Sequence, residues 1–157
     1  MNIKWVWRTF DRLSNSQVYD ILLLRQQVFV LEQKCLYLDT DGRDQKALHL
    51  FGCSVSNNSE PAEIMAYARL LPPCTRYVEP SIGRVLVVES ARRHGLGKQL
   101  IQRCLEKCEA IYPKSAIKIS AQVYLVGFYQ SFGFKAVGKP YDDGGISHIG
   151  MIRDAHQ

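Results

Sequence analysis

Long apolar runs are missing from this 157-residue sequence, and none approaches the roughly 20 residues of a membrane span. The first residues also lack the apolar centre of a secretory signal. The five cysteines include no CxxC pair, so neither a disulfide framework nor a metal site is expected. Lysine and arginine exceed the acidic residues by 20 to 15, yet no run of like charge predicts a nucleic-acid surface. We therefore expect a cytoplasmic protein of one domain, residues 1–157, without membrane, nucleic-acid or metal partners.

Two common nucleotide-binding motifs are missing as well. A GxGxxG motif would need a third glycine after Gly95 and Gly97, and a P-loop would need Ser or Thr where Gln99 stands. Instead, an apolar run at residues 85–88 is followed by Arg-Arg-His-Gly-Leu-Gly at residues 92–97, here called the glycine loop, and then by an amphipathic pattern. This order predicts a strand, a loop and a helix start with open backbone amides. Such a helix start binds phosphate.

Periodicity and turn residues predict a mixed α/β sheet with the order β-α-β-β-β-α-β-α-β-β. The predicted strands are residues 3–7, 47–55, 64–71, 81–88, 117–121, 134–137 and 146–153. The predicted helices are residues 18–31, after a capping box at Ser14 and Gln17, residues 96–111, and about residues 124–132, ending at Gly133. Residues 56–61 and 142–145 are predicted turns, the first of them within a hairpin.

A second motif stands downstream of the glycine loop. Residues 129–134, Tyr-Gln-Ser-Phe-Gly-Phe, follow a predicted strand and end a predicted helix. Together the two motifs resemble those of the GNAT superfamily of acyl-CoA-dependent N-acyltransferases. The similarity is closest to the ElaA-like branch and extends over nearly the whole chain, through residues 28–33, 66–70, 82–85, 128–134 and 145–151, with Tyr37, Asp39, Asp41, Gly42, His49 and Leu50.

The resemblance implies the GNAT fold, an α/β fold with a mixed central sheet of six to seven strands flanked by helices. It also implies an N-acetyltransferase that uses acetyl-CoA as donor and no metal. The acceptor would be a primary amine of a small molecule or peptide, which attacks directly within a ternary complex. The resemblance is also compatible with a homodimer.

The resemblance further implies where the donor binds. The pyrophosphate would meet the amides of the glycine loop, and the pantetheine would pair with the strand before it. That strand would splay from the strand at residues 117–121 and leave a slot for the thioester. By its position, the Val88 N–H is the candidate to meet the oxyanion. Tyr129 stands where the family places its general acid. The implied donor-binding residues are Leu86, Val87, Val88, Arg92, Arg93, His94, Gly95, Leu96, Gly97, Lys98, Gln122 and Tyr129.

The base and the acceptor site are less defined by the sequence. Glu32 is the candidate base, and His49, His148 and an aspartate cluster are alternatives, although the aspartates also fit turns. The cluster consists of Asp39, Asp41 and Asp44. Phe29, Glu32, Arg84 and His148 are the candidate acceptor-binding residues. Arg84 on a buried strand needs an anionic partner, either an acceptor carboxylate or Glu32. Acidic groups near this pocket would favour a cationic acceptor.

Two other functions remain compatible with the sequence. Residues Arg25, Phe29, Asp41 and Asp44, with the run at 69–72, also resemble the acyl-homoserine-lactone synthases. A non-catalytic acyl-CoA sensor could keep the same fold, although an intact glycine loop and Tyr129 favour an enzyme.

Overall fold

The computed structural model describes residues 1–55 and 62–155. The strands are β1 (Ile3–Thr9), β2 (Leu48–Ser54), β3 (Ile64–Leu71), β4 (Ser81–Val87), β5 (Ile117–Gln122), β6 (Lys135–Asp143) and β7 (Ile146–Arg153). The helices are α1 (Asn15–Arg25), which continues as a π-helical segment (Gln26–Glu32), α2 (Leu96–Ile111) and α3 (Val126–Gln130). The predicted order of elements, the fold class and the strand count are confirmed.

The strands form two antiparallel sheets rather than the single mixed sheet that was expected. One sheet has the order β1-β2-β3-β4 and the other β5-β7-β6. Their edge strands β4 and β5 meet at their starts, where the Lys118 N–H donates to the Pro80 carbonyl over 3.1 Å. No ladder joins the two strands within the described ranges. The strands diverge beyond that contact, and this divergence opens the cavity described below.

The first helix begins as predicted and ends differently. Ser14 and Gln17 form the capping box, with N–H to side-chain distances of 2.9 and 3.1 Å. The prediction of one regular helix to residue 31 is wrong, because α1 ends at Arg25 and the next seven residues, Gln26–Glu32, are π-helical. Val28 and Phe29 in this segment are buried under the first sheet. A π-helical turn is wider than an α-helical turn, and here it places the end of the segment over the cavity. Such segments are frequent at functional sites.

The strands on either side of both predicted turns pair with each other, and the predicted hairpin of β2 and β3 is confirmed. Strands β2 and β3 pair antiparallel, but the predicted turn at residues 56–61 lies outside the described residues. The turn between β6 and β7 has fewer residues than the predicted turn at residues 142–145, because β6 extends to Asp143. Gly144 and Gly145 have φ of 63° and 88°, which fits a two-residue type I′ turn. Helix α3 is shorter than predicted, and Gly133 with φ of 90° follows it.

The main core lies between α2 and the two sheets. Leu100, Ile101 and Cys104 on the apolar face of α2 are fully buried there, together with strands β3 and β5. This packing fixes the first turn of α2 beside the open ends of β4 and β5.

Candidate active site

A cavity of about 600 Å³ lies between the diverging ends of β4 and β5. The π-helical segment and α3 cover it from two sides. Of the residues selected from the sequence, the structure brings together Phe29, Glu32, Arg84, Leu86, Val87, Arg92, Gly97, Gln122, Tyr129 and His148 along its walls. Val88, Arg93, His94, Gly95, Leu96 and Lys98 do not line it.

The glycine loop leads into α2 with open amides. Gly95 is the N-cap residue with φ of 75°, and the first backbone bond of the helix runs from the Gln99 N–H to its carbonyl over 3.2 Å. Within the described chain, the N–H groups of residues 93–98 donate to no protein acceptor. Leu96 buries its side chain in the core, so only its backbone is available. The arrangement is suited to bind an anion beside the cavity.

Arg92 turns away from these amides. Its Nε donates to the Val87 carbonyl over 2.9 Å, and its two terminal nitrogens each donate to one oxygen of Glu32 over 2.6 Å. The hydrogen bonds from Arg92 lower the pKa of Glu32. A carboxylate whose two oxygens are both engaged is a weak proton acceptor, so this geometry argues against the expectation that Glu32 is the base.

Arg84 has partners other than those expected. Its Nε lies 2.8 Å from the Asp39 carboxylate, and its Nη2 donates to the Asp39 carbonyl over 2.9 Å. Neither Glu32 nor an acceptor carboxylate is needed to balance its charge. Arg84 also has φ of 52° and lies in a bulge of β4, where it and Val85 together face Ala68.

The aspartates belong to a buried ion network and not to simple turns. Arg25 contacts Asp39 and Asp44 over 2.6 Å each, and Arg69 contacts Asp44 over 2.9 Å and also binds Asp41. Burial alone would raise the pKa of Asp41, but Arg69 outweighs it and holds that pKa well below its usual range. None of these carboxylates is free to act as a base. The sequence signal was Arg25 itself, which occupies an apolar position of helix α1.

His49 is a structural residue. It is 2% exposed, its Nδ1 accepts from the Tyr67 hydroxyl over 2.7 Å, and its Nε2 donates to the Asp44 carbonyl over 2.8 Å. Burial lowers its pKa. Because both ring nitrogens are engaged, His49 is unsuited to the role of base.

The Val88 N–H is also engaged, contrary to the expectation that it meets the oxyanion. It donates to the Met65 carbonyl of the β3 side over 2.9 Å. Since N–H directions alternate along a strand, the Val87 N–H points to the other edge, toward the cavity. The Val87 carbonyl, bound by Arg92, points the same way.

Two polar groups of the cavity lack partners within the described residues. Tyr129 is 8% exposed, its hydroxyl makes no hydrogen bond there, and burial raises its pKa to about 12. Gln122 donates from Nε2 to Gln33 over 3.0 Å, but its Oε1 is buried with no donor. A buried acceptor without a donor is costly, so this oxygen favours a ligand that carries an N–H group.

His148 reaches the same cavity from β7. Its Nδ1 lies 2.8 Å from the Ile146 carbonyl, and its ring stacks on Tyr141 with centroids 6.2 Å apart. Among the residues that the structure covers, no group of three His, Cys, Asp or Glu side chains could hold a metal ion. No helix in those parts of the chain is both long and apolar enough to cross a membrane.

Comparisons with known proteins place this arrangement among acyltransferases. Residues 57–155 match the acetyltransferase (GNAT) domain family. The chain is 47% identical to a UPF0039 protein of Synechocystis sp. over 152 residues, 97% of this chain and 96% of that protein. It is 40% identical to the protein ElaA of Escherichia coli over 99% of each, and the ElaA crystal structure superposes with a TM-score of 0.86 over 98% of this chain and 100% of that one. An acyl-CoA N-acyltransferase from Pseudomonas aeruginosa, 36% identical, superposes with a TM-score of 0.87 over 97% and 99%.

Proposed function

This chain belongs to the GNAT acetyltransferase family, and from that premise we propose that it transfers an acetyl group from acetyl-CoA to a primary amine. The acceptor is a small molecule or a peptide, and the amine attacks directly within a ternary complex. The observation that carries the proposal is the cavity between β4 and β5, which joins an open helix N-terminus to Tyr129. Because acetyl-CoA is an intracellular metabolite, we propose the cytoplasm as the place of action.

The residues present fit an acyl-CoA donor. The free amides of residues 93–98 suit a pyrophosphate, and the exposed side chains of Arg93 and Lys98 add positive charge. Gly97 borders both the amides and the cavity. Gln122 Oε1 can accept from an amide N–H of a pantetheine arm. The thioester that such a donor supplies is the electrophile of the reaction.

Three groups of the chain serve the chemistry in this proposal. The Val87 N–H faces the cavity and stabilises negative charge on the thioester oxygen. The Tyr129 hydroxyl donates to the leaving sulfur. With a pKa of about 12, the phenol stays protonated at neutral pH. This pKa lies roughly 3.5 units above that of an ordinary thiol, about 8.5. Full proton transfer would cost roughly 5 kcal/mol, so Tyr129 acts mainly as a hydrogen-bond donor.

Donor binding is tested at Gly97. No atom lies within 4 Å of a Cβ at this position, so a side chain fits without a clash. An aspartate there would stabilise the helix start but repel a pyrophosphate. We expect Gly97→Asp to weaken acetyl-CoA binding roughly tenfold or more by calorimetry, about 1.4 kcal/mol, at unchanged thermal stability. The matched control, Gly97→Ala, should bind within a few-fold of wild type. Equal affinities for both variants would contradict the donor site.

Catalysis is tested at Tyr129. Removing a hydrogen bond to a developing thiolate costs about 1.5–3 kcal/mol, so Tyr129→Phe should lower kcat by roughly 10- to 150-fold. The KM for acetyl-CoA should change little. Tyr112→Phe, which removes a hydroxyl outside the cavity, is the control. A Tyr129→Phe variant with full kcat would remove Tyr129 from the mechanism.

The alternative functions have their own tests. Of the residues shared with lactone synthases, Phe29 lines the cavity, whereas Arg25, Asp41, Asp44 and Arg69 lie in the buried network and not along it. Those four support the fold and do not identify the substrate. Lactone formed from S-adenosylmethionine and an acyl carrier protein would favour a synthase. Acetyl-CoA binding without transfer to any amine would favour a sensor.

A further inference from the structure

We infer that His148 is the general base of this reaction and accepts the proton of the amine at Nε2. The inference rests on the proposed function and extends it to a residue whose role the sequence left open.

The first argument is the tautomer of His148. Its Nδ1 lies 2.8 Å from the Ile146 carbonyl oxygen, which can only accept, so Nδ1 carries the hydrogen. In the neutral ring Nε2 then holds a lone pair. No group of the described residues donates to Nε2. His148 lines the cavity, so this lone pair is available to a bound acceptor.

The second argument is the fixed orientation of the ring. His148 lies on the central strand of its sheet, directly opposite Gln122 on β5 and Tyr141 on β6. Residues that pair in this way share one face of the sheet, so all three face the cavity side. Tyr141 stacks on the imidazole, and its hydroxyl is hydrogen-bonded to Ser120. The ring is therefore held from two directions, as a base requires.

The third argument is that the competing bases are engaged. Glu32 is bound by Arg92, the aspartate cluster by four arginines, and His49 by two partners. Asp143 also borders the cavity. Carboxylates as a class are weaker bases than imidazole near neutral pH, where histidine is the residue type best matched to proton transfer. In this proposal Asp143 binds the cationic form of the amine.

The proposed step balances as follows. The amine nitrogen forms a C–N bond to the thioester carbon, its proton passes to Nε2 of His148, and the C–S bond breaks. The sulfur leaves as a thiolate that the Tyr129 hydroxyl stabilises, and His148 returns its proton to solvent. Only about 1 part in 2,500 of an alkyl amine of pKa near 10.4 is neutral at pH 7, and this neutral form attacks. Its adduct with the thioester is basic enough to keep the extra proton until His148 removes it, whereas the adduct of a weakly basic amine such as methoxyamine loses that proton to water.

The pH dependence of this step also reflects the charges around the ring. The titratable groups that share the cavity with His148 are Asp143 and the stacked Tyr141 on β6, Arg84 on β4, Arg76 before β4, Cys35 and Tyr37 after the π-helical segment, Tyr124 before α3 and Tyr129 on α3. The Glu32–Arg92 pair closes one side.

The test uses the full chain, acetyl-CoA and two kinds of nucleophile. One is an alkyl amine, taken from a panel that includes 1,4-diaminobutane and lysine; the other is methoxyamine, whose nitrogen is already neutral at pH 7. We expect His148→Ala to lower kcat/KM for the alkyl amine by roughly 10²–10⁴-fold and to make the acid limb of its pH profile less steep, because only the titration of the amine itself then remains. The loss with methoxyamine should be much smaller, and added imidazole should restore part of the activity.

Two controls separate this role from a structural one. Ser147→Ala changes the neighbouring exposed residue on β7, whose side chain faces the other side of the sheet, and should leave kinetics unchanged. Acetyl-CoA affinity should be the same in His148→Ala and wild type. Equal losses for both nucleophiles, or an acid limb of unchanged steepness, would overturn the assignment while leaving the proposed function standing. Absence of transfer to any amine by the wild-type chain would overturn both.

Discussion

The buried ion network offers the sharpest prediction about stability, through the substitution Arg25→Met. Arg25 has 0% exposure of its side chain and makes three polar contacts, to the carboxylates of Asp39 and Asp44 over 2.6 Å and to the Asp39 carbonyl over 3.0 Å. Methionine fills a similar volume without charge. The substitution leaves Asp39 Oδ2 without its cation and removes one of the two arginines that contact Asp44 Oδ1, which keeps Arg69.

The expected loss follows from this burial. Removing one partner of a buried ion pair costs about 3–5 kcal/mol, a large part of the roughly 5–15 kcal/mol that stabilises a domain. Arg92 provides the matched control, because it also makes two contacts of 2.6 Å, to Glu32, but with side chains 40% and 38% exposed. We expect Arg92→Met to cost about 1 kcal/mol or less.

Urea unfolding followed by circular dichroism measures both changes. The midpoint of Arg25→Met should fall far below that of wild type, or the variant should be unfolded without urea, whereas Arg92→Met should stay close to wild type. If the two substitutions cost the same, burial would not decide the strength of these pairs and the reasoning would be refuted.

Two further predictions concern the buried ion network and the turn between β6 and β7. Burial raises the pKa of Asp41 and Asp44, but Arg25 and Arg69 outweigh it and lower both pKa values. The stability that these ion pairs give to the fold is therefore present above the ordinary carboxyl pKa of about 4 and is lost as the pH falls. The urea midpoint should drop steeply below about pH 5. A Cβ on Gly144 would lie 2.5 Å from the Tyr37 ring, whereas one on Gly145 would meet no atom within 4 Å. Both glycines have positive φ, so a melting temperature that falls equally in both alanine variants would exclude the clash as the cause.

Much of the fold was predictable because its signals are local. The amphipathic stripe of α2, the Ser14–Gln17 capping box and Gly133 each depend on neighbours within a few residues, and all three were confirmed. The π-helical turn was not predictable, since its sequence keeps ordinary helical spacing. The division into two sheets depends on the divergence of β4 and β5, which no residue of either strand indicates and which was expected only from the resemblance to the GNAT superfamily.

The candidate site, like the fold, was predictable only where its signals are local. The glycine loop follows from a contiguous motif, and the open amides at its helix start agree with that interpretation. Side-chain partners across the fold do not follow from a motif: Arg92 binds Glu32 60 positions away, and Arg84 binds Asp39 45 positions away. Those long-range pairs decide which carboxylates are engaged, and thus which residue can take a proton.

The central claim is that the cavity between β4 and β5 carries acetyl transfer to an amine. The most direct measurement incubates the wild-type chain with acetyl-CoA and a panel of primary amines, and follows free thiol by absorbance and product by mass spectrometry. The account predicts at least one amine that gains an acetyl group in step with thiol release, at a rate that Gly97→Asp and Tyr129→Phe both lower. Thiol release without any acetylated amine, or no release at all, would contradict it.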